Sequence, residues 1–265
     1  MRERVLLDPD WSTHPLAGTL GDYRKVEHAI RSHPGFMDRS TAKCYRIPLD
    51  GVPLFIKYYQ FVREKEGLRL RHFRLSRPMR EWRNLHFFRS LGIATTPPVA
   101  VGECRRFGMF RSGFIITREI EDAEELGVLA ARHPERVAAA AFFHPLCEIL
   151  ADAVRRMHRR GFFHNDLNGR NVLIRETNGM EAFLFDSPNG RRWFFPFREF
   201  RLIKDLASLD ASVRHVLRRT QRLRFYLAYV ARKRLSKADK RRIGRVVKRS
   251  AVPQKPIDPD VRSYI

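Results

Sequence analysis

The sequence predicts an α+β fold in which a small, sheet-rich lobe is followed by a helical lobe. Strand-like runs and a hairpin signal lie within residues 36–120, and long helical patterns fill residues 121–265. Hydrophobic residues make up 43% of the 265 residues, which is enough to bury a sizeable core. We therefore expect a bilobal chain with an N-terminal extension over residues 1–35, a first lobe over 36–120 and a second lobe over 121–265.

The sheet-rich lobe begins with a predicted hairpin. Residues 42–49 and 52–59 are strand-like, and the Asp50-Gly51 pair between them is a strong turn signal. A helix is predicted over residues 76–91, where large apolar side chains recur every three residues. Further strands are predicted at residues 99–103 and 113–117. The first lobe is thus predicted to be a small sheet that carries one helix.

The helical lobe begins with a long pattern over residues 135–160, for which Gly161 is the predicted end. Two short strands are predicted to follow at residues 171–174 and 182–185. A helical pattern returns after Pro196 and continues to about residue 250. The second lobe is therefore predicted to be mostly helical, with a short hairpin near its middle.

The charge of the chain predicts a polyanionic partner. Fifty-two Lys and Arg residues against 29 Asp and Glu residues give a net charge of +23. Residues 201–249 alone hold 17 Lys and Arg and three Asp, a net of +14. A protein this basic is expected to meet nucleic acid, an anionic membrane surface or a phosphorylated substrate.

The cysteine pattern and the apolar runs indicate the cellular compartment in which the protein is expected. Three widely spaced cysteines predict neither a disulfide framework nor a zinc site, and they suit a reducing cytosol. No signal peptide is predicted at the N-terminus, and the most apolar stretch, residues 137–154, is interrupted by proline and by charged residues. We expect a soluble or peripheral protein.

The motif that carries chemistry is His-x-Asp-Leu-x-x-x-Asn, which spans His164 to Asn171 between a helix and a strand. Phosphoryl transfer needs a carboxylate near the attacking hydroxyl and oxygen ligands for Mg²⁺. Asp166 is the candidate for the first task and Asn171 for the second. Fifteen residues further on, Asp186 follows a short apolar strand and is a second candidate metal ligand.

Two upstream residues complete this constellation. Lys57 lies within a predicted strand, as does the lysine that pairs with the nucleotide phosphates in kinases. Glu81 lies on the following helix, 24 residues later, where its carboxylate would orient that ammonium. Glu64 and Glu66 are competing candidates for this acidic partner.

The constellation resembles the protein-kinase-like fold, and within it the lipopolysaccharide core kinases that act on the sugar acid Kdo or on heptose. The catalytic loop from His164 to Asn171 is most similar to the Kdo-kinase version. Residues 201–209 and 222–226 resemble a later signature of the same family. The resemblance covers residues 36–230, and it implies an ATP-dependent and Mg²⁺-dependent kinase with an alcohol group as acceptor.

The resemblance also implies where the nucleotide binds. No glycine-rich loop precedes the strand lysine, so backbone amides and nearby side chains are expected to take over the phosphate contacts. Residues 117–120 are expected to form the hinge whose backbone binds adenine. The nucleotide-binding residues expected from this placement are the phosphate donors Ser40, Thr41 and Lys43 and the hinge residues Thr117 and Glu119.

Two departures from the protein-kinase pattern refine the expected substrate. Asn165 stands where protein kinases carry Arg, and Asp186 is followed by Ser-Pro rather than by Phe-Gly. Both departures favour a small-molecule or glycolipid kinase over a regulated protein kinase. In kinase-like folds an acidic residue on the helix after the metal loop braces the catalytic loop, and Asp205 is the candidate for this role.

The predicted function is phosphorylation of a sugar hydroxyl of the lipopolysaccharide inner core, at the cytoplasmic face of the inner membrane. The predicted partners are the core glycolipid and the anionic membrane surface, which the basic C-terminal helices would contact. Two alternatives stay open: a kinase of another small molecule or of a protein, and a non-catalytic kinase-like scaffold that binds nucleic acid or anionic surfaces. The sequence contains no recognisable nucleic-acid-binding motif, which disfavours nucleic acid.

Overall fold

A computed structural model describes residues 1–35, 37–39, 42–61 and 75–252 of the chain. The chain divides into two compact units. Unit 1 comprises Met1–His86 and Thr96–Glu119, and unit 2 comprises Phe87–Thr95 and Ile120–Ile265. The division into an extension, a first lobe and a second lobe stays a prediction. The structure differs from the prediction in giving residues 1–35 to unit 1 and residues 87–95 to unit 2.

Unit 1 is built on an antiparallel six-stranded sheet with the strand order β1-β5-β6-β4-β3-β2. Its strands are β1 (Arg2–Leu7), β2 (Met37–Arg39), β3 (Ala42–Leu49), β4 (Val52–Gln60), β5 (Pro98–Arg106) and β6 (Met109–Arg118). Its helices are α1 (Ala17–Leu20), α2 (Tyr23–Arg31) and, as far as residue 86, α3 (Arg77–Ser90). The predicted strands and the predicted helix are confirmed.

The β3–β4 hairpin forms at the predicted turn. Asp50 has φ 47° and Gly51 has φ 79°, so both central residues adopt the left-handed conformation. This conformation matches the primed turns of tight hairpins, in which Asp-Gly is a favoured pair. The turn fixes the register in which Lys57 of β4 lies opposite Cys44 of β3 and Ile115 of β6.

Residues 1–35, expected to form an extension, contribute directly to the sheet and core of unit 1. β1 is an edge strand paired with β5, from Arg2 opposite Arg105 to Leu7 opposite Ala100. The apolar side chains of α1 and α2 pack against the sheet in one buried cluster, which includes Leu20, Tyr23, Val26, Ile30, Leu54, Ile56 and Phe114. This segment is integral to unit 1 because its helices cover one face of the sheet.

Unit 2 is mostly helical. Its helices are α4 (Leu126–Arg132), α5 (Pro134–Ala138), α6 (Ala140–Arg159), α7 (Arg198–Val213), α8 (Arg219–Val230) and α9 (Lys237–Ser250). Its strands are β7 (Ala123–Glu125), β8 (Phe162–Phe163), β9 (Val172–Arg175), β10 (Glu181–Leu184) and β11 (Arg191–Arg192). The predicted single helix over residues 135–160 is wrong, because Ala139 takes an extended backbone and starts a new helix there. None of the described helices combines the length and the apolar character needed to cross a membrane.

Residues 87–95 belong to unit 2 because they pack on its strands and helices. Phe88 and Ile93 are buried in the large apolar cluster of this unit. The Leu184 N–H donates to the Ala94 carbonyl at 3.0 Å, and the Thr95 hydroxyl donates to the Leu184 carbonyl. These bonds hold the end of β10, after which the candidate metal ligand Asp186 follows.

Candidate active site

In unit 1, the candidate strand lysine meets its predicted acidic partner. Lys57 Nζ lies 3.1 Å from Glu81 Oε1, which confirms the predicted pair. The Tyr59 hydroxyl donates to Glu81 Oε2, also at 3.1 Å. Glu81 is 3% exposed, so its carboxylate is fixed by two partners within the protein. The competing Glu64 and Glu66 lie outside the described residues.

In unit 2, two asparagine side chains hold the candidate catalytic carboxylate. Asn168 Nδ2 donates to Asp166 Oδ1 at 2.9 Å, and Asn171 Nδ2 lies 3.3 Å from Asp166 Oδ2. Asn171 Nδ2 also donates to the Asp166 carbonyl at 2.7 Å. Both asparagines are buried, whereas Asp166 is exposed. The loop therefore presents an oriented carboxylate that solvent and a substrate hydroxyl are able to reach.

The catalytic loop and the candidate metal loop are joined through Phe185. The fully buried His164 donates from Nε2 to the Phe185 carbonyl at 3.0 Å, and the Phe185 N–H donates to the Asn171 carbonyl at 3.2 Å. Asp186, the next residue, has φ 52°, a left-handed conformation that Asp tolerates better than most residues. The segments that carry the candidate metal ligands Asn171 and Asp186 are therefore joined by hydrogen bonds. The same contacts give His164 a structural role.

Asp205 braces the catalytic loop, as the sequence predicted. Its Oδ2 accepts the His164 backbone N–H at 2.7 Å, and its Oδ1 accepts the Asn165 backbone N–H at 2.8 Å. His158 Nε2 lies 3.3 Å from Asp205 Oδ2, and His158 Nδ1 lies 2.9 Å from the Tyr229 hydroxyl. Burial raises the pKa of Tyr229, which keeps this hydroxyl protonated. Asp205 itself is fully buried.

Asn165 takes over a structural task at the position where protein kinases carry Arg. Its φ of 64° is left-handed, and its Nδ2 donates to the carbonyls of Phe163 (3.1 Å) and Asn189 (2.9 Å). Lys204 Nζ donates to the Asn165 carbonyl at 2.6 Å, and Arg201 Nη1 lies 3.4 Å from its Oδ1. Asn165 therefore joins the catalytic loop, the segment after Asp186 and helix α7.

A close backbone approach holds the far side of the catalytic loop. A Cβ at Gly169 would lie 2.9 Å from the Gly127 nitrogen and 3.1 Å from the Ser212 Cβ, so a side chain does not fit there. The Gly169 N–H donates to the Ser212 hydroxyl at 2.8 Å. The loop is thereby packed directly onto α4 and α7.

The structure describes three of the five residues predicted to bind the nucleotide. Ser40 and Thr41 lie outside the described residues, and Lys43 is an exposed residue of β3. Thr117 lies in β6 opposite Phe55 and Pro98. The buried Glu119 accepts two hydrogen bonds from Arg46, and its N–H donates to the Pro53 carbonyl at 3.1 Å. The amide of Glu119 is therefore already used within unit 1, and any adenine contact there would need other groups of residues 117–120.

The donor set of unit 2 fits a magnesium ion. Asp186 and Asn171 supply carboxylate and amide oxygens, which are the ligands that Mg²⁺ prefers, and their segments are hydrogen-bonded to each other through Phe185. Within the described part of the chain, no three His, Cys, Asp or Glu side chains form a metal-binding cluster. Asn171 and Asp186 are the residues that would hold such an ion.

The basic residues of α7 to α9 are less free than the sequence suggested. Lys204 contacts the catalytic loop, because its Nζ donates to the Asn165 carbonyl. Arg222 pairs with Asp210, and Arg242 donates two hydrogen bonds at 2.9 Å to Glu199, whose carboxylate raises the pKa of Arg242. These internal pairs reduce the charge that α7 to α9 offer to a surface.

Several residues of the site carry no local signal in the sequence. Tyr59, His158 and Tyr229 have the pattern of ordinary core residues. Only the fold brings Tyr59 to Glu81, and His158 to Asp205 and Tyr229. Asn168 is the exception, because an amide two residues after a catalytic Asp is within reach of its carboxylate.

The comparisons with known proteins agree with the geometry. Residues 60–246 match the family model described as lipopolysaccharide kinase (Kdo/WaaP). The lipopolysaccharide core heptose(I) kinase WaaP of Escherichia coli is 27% identical over 135 residues, which are 49% of this chain and 51% of that protein. The match thus spans about half the length of that relative.

A solved structure of WaaP in complex with acyl carrier protein superimposes with a TM-score of 0.70. The superposition covers 94% of this chain and 98% of that chain, at 21% identity. This likeness confirms the predicted protein-kinase-like fold.

Proposed function

Since this chain belongs to the lipopolysaccharide kinase (Kdo/WaaP) family, we propose that it transfers the γ-phosphoryl group of ATP to a sugar hydroxyl of the lipopolysaccharide inner core. The observation that carries the proposal is the Asp166 carboxylate, exposed and yet oriented by Asn168 and Asn171. An exposed carboxylate held in this way suits an acceptor hydroxyl that arrives from outside the protein.

Asp166 orients the acceptor hydroxyl and receives its proton. The hydroxyl oxygen attacks the γ-phosphorus, the bond to the bridging oxygen of ADP breaks, and the proton passes to an Asp166 carboxylate oxygen. The hydrogen bond from Asn168 holds Oδ1 in place, and this also fixes the orientation of the second carboxylate oxygen, Oδ2. Asp205 keeps this arrangement fixed because it anchors the two residues before Asp166.

The nucleotide phosphates require positive charge. Lys57, held by Glu81, supplies an ammonium whose position is set by β4 and α3. Asn171 and Asp186 would hold Mg²⁺, which neutralises charge on the phosphates when it is bound.

Lys57→Met is expected to lower kcat/KM for ATP by about 10²–10³-fold, the cost of removing one electrostatic contact to the reacting phosphates. The measurement is a titration of ATP at saturating acceptor. Lys25→Met is the matched control, since Lys25 is an exposed lysine on α2 of the same unit. Equal kcat/KM values for Lys57→Met and the wild type would remove Lys57 from the nucleotide site.

Heptose is the acceptor sugar that we propose, and Kdo is the alternative. The named relative is a heptose(I) kinase, whereas the catalytic loop resembles the Kdo-kinase version. Both sugars belong to a glycolipid of the inner membrane, so we propose a cytoplasmic enzyme that works at the inner surface of that membrane.

The experiment that tests the function is incubation with labelled ATP and four separate samples: heptosylated core, Kdo-lipid A, a generic protein and buffer alone. Label on the heptosylated core is the expected result. Label on Kdo-lipid A alone would show that the acceptor sugar is Kdo rather than heptose. Label on the generic protein alone would show that the enzyme is a protein kinase rather than a glycolipid kinase. Label in none of the samples, with a folded enzyme, would overturn the kinase proposal.

A pocket in unit 2 supports acyl carrier protein as a further partner. A cavity of about 640 Å³ lies among α4, α6, α7, α8 and α9, within the ~300–1,000 Å³ range of small-molecule sites. Its lining is mostly apolar and includes Leu146, Leu150, Leu209, Val213, Phe225 and Ile243. Arg214, Arg219 and Lys240 also line it, so an acyl chain would find apolar walls and its carrier would find cations. Because the superimposed WaaP structure contains acyl carrier protein, we propose that this pocket takes the acyl chain of such a carrier.

Filling the pocket tests this partner. Burial raises the pKa of the Cys147 thiol to about 11, so Cys147 is a neutral lining residue and a suitable site for a larger side chain. Cys147→Phe is expected to abolish co-elution with acylated carrier protein in gel filtration. Ile149→Phe, at a partly exposed position on the same helix, is the matched control and should co-elute normally. Co-elution of Cys147→Phe at the wild-type level would exclude the pocket.

A further inference from the structure

Exposed aromatic side chains are concentrated in one short part of unit 2. Phe194, Phe195, Phe197 and Phe200 are 78%, 91%, 56% and 45% exposed. They are four of the ten large apolar side chains that are exposed within the described residues, and they lie within seven consecutive positions. Single exposed apolar residues are ordinary, whereas a contiguous patch marks an interaction surface.

Arginines are interleaved with these aromatic rings. The segment from residue 191 to residue 201, here called the aromatic segment, contains four Arg and one Glu. The guanidinium carbons of Arg191 and Arg201 each lie 4.0 Å from the centroid of the Trp193 ring. Arg249 of α9 lies 5.1 Å from the Phe200 ring centroid. Glu199 is paired with Arg242, so the surface that remains is aromatic and cationic.

The aromatic segment is fastened to the catalytic loop at both of its ends. β11 pairs with β8, with Arg191 opposite Phe163. The backbone N–H of Trp193 donates to the Gly161 carbonyl at 2.9 Å. β8 leads directly into the catalytic loop. At its other end the segment continues into α7, which carries the loop brace Asp205. A surface bound by the aromatic segment is therefore coupled to the position of Asp166.

We propose that the aromatic segment docks the protein on an anionic lipid bilayer, with the phenylalanines in the interface and the arginines on lipid phosphates. Trp and Phe favour the boundary between headgroups and acyl chains, and each Arg near an anionic surface adds to binding. A second copy of the chain fits this surface poorly, because two cationic patches would meet. The inference rests on the proposed function in one respect: docking would bring Asp166 to an acceptor that is held in a membrane. It places the docking contact mainly on this segment rather than on the basic helices as a whole.

Vesicle co-sedimentation without nucleotide or acceptor tests the proposal. Phe194→Ser/Phe195→Ser is expected to weaken binding to phosphatidylglycerol-containing vesicles by about tenfold for each phenylalanine removed. Phe194→Leu/Phe195→Leu keeps the apolar character and should bind nearly as well as the wild type. Phe107→Ser is the matched control, since Phe107 is an isolated phenylalanine that is 84% exposed and has an adjacent arginine.

Three outcomes would overturn the docking proposal: wild-type binding of the folded Ser/Ser variant, equal weakening by Phe107→Ser, or a change of oligomeric state that only the Ser/Ser variant shows. The last outcome would identify the aromatic segment as an interface between copies of the chain. If no acceptor is ever phosphorylated while vesicle binding still depends on Phe194 and Phe195, the proposed function fails and the docking site stands.

Discussion

Asp166→Asn is expected to reduce phosphoryl transfer by at least about 10²–10⁴-fold while leaving the protein folded. The substitution removes the group that accepts the hydroxyl proton. It leaves one amide oxygen, which is able to accept the 2.9 Å hydrogen bond from Asn168, whereas the longer 3.3 Å contact from Asn171 loses its acceptor. The carboxylate is exposed, so its loss removes no buried contact that the fold requires. Steady-state rates with saturating ATP, together with thermal unfolding of the same preparation, measure both expectations.

The control for this variant is Asp122→Asn, which changes another exposed carboxylate of unit 2. Its rate should equal that of the wild type. A wild-type rate for folded Asp166→Asn would show that the assigned carboxylate takes no part in the chemistry.

Asp205→Ala is expected to lower the free energy of unfolding by about 3–5 kcal/mol, because each buried N–H group that loses its acceptor costs about 1–3 kcal/mol. The substitution leaves the backbone N–H groups of His164 and Asn165 buried without the Asp205 acceptor, and it also removes the contact of His158 Nε2. Activity should fall with stability, because the two residues that precede Asp166 lose their anchor.

Urea unfolding of Asp205→Ala, Asp205→Asn and Asp152→Ala measures this effect. Asp205→Asn keeps one side-chain oxygen as an acceptor and should lie between the alanine variant and the wild type. Asp152 is 38% exposed and pairs with arginines on the surface of α6, so its removal should cost no more than about 1 kcal/mol. An unfolding midpoint of Asp205→Ala equal to that of Asp152→Ala would contradict the bracing role.

Much of the fold follows from short-range patterns in the sequence. The Asp50-Gly51 turn fixed a hairpin, and the hairpin fixed the register of Lys57. The spacing within the catalytic loop placed Asp166 and Asn171 together because both belong to one tight loop. These predictions succeeded because each depends on residues only a few positions apart.

The remaining features depend on contacts between distant parts of the chain. The pairing of residues 2–7 with β5 joins positions about a hundred residues apart, and no local signal predicts that pairing. The contact between Lys204 and the Asn165 carbonyl was not predicted, because Lys204 lies in a strongly basic region and nothing in the sequence distinguishes it from the other basic residues. The break at Ala139 was missed because alanine strongly favours helices and the fold overrides that preference there.

The most direct test of the proposed chemistry is product analysis after incubation of ATP and heptosylated inner core with wild-type protein or Asp166→Asn. Mass spectrometry and phosphorus NMR would identify the added group and the sugar that carries it. We predict one new phosphate monoester on a core sugar with the wild type and none with the variant. Equal phosphorylation by both proteins, or no phosphate on any core sugar with folded wild type, would contradict the proposal.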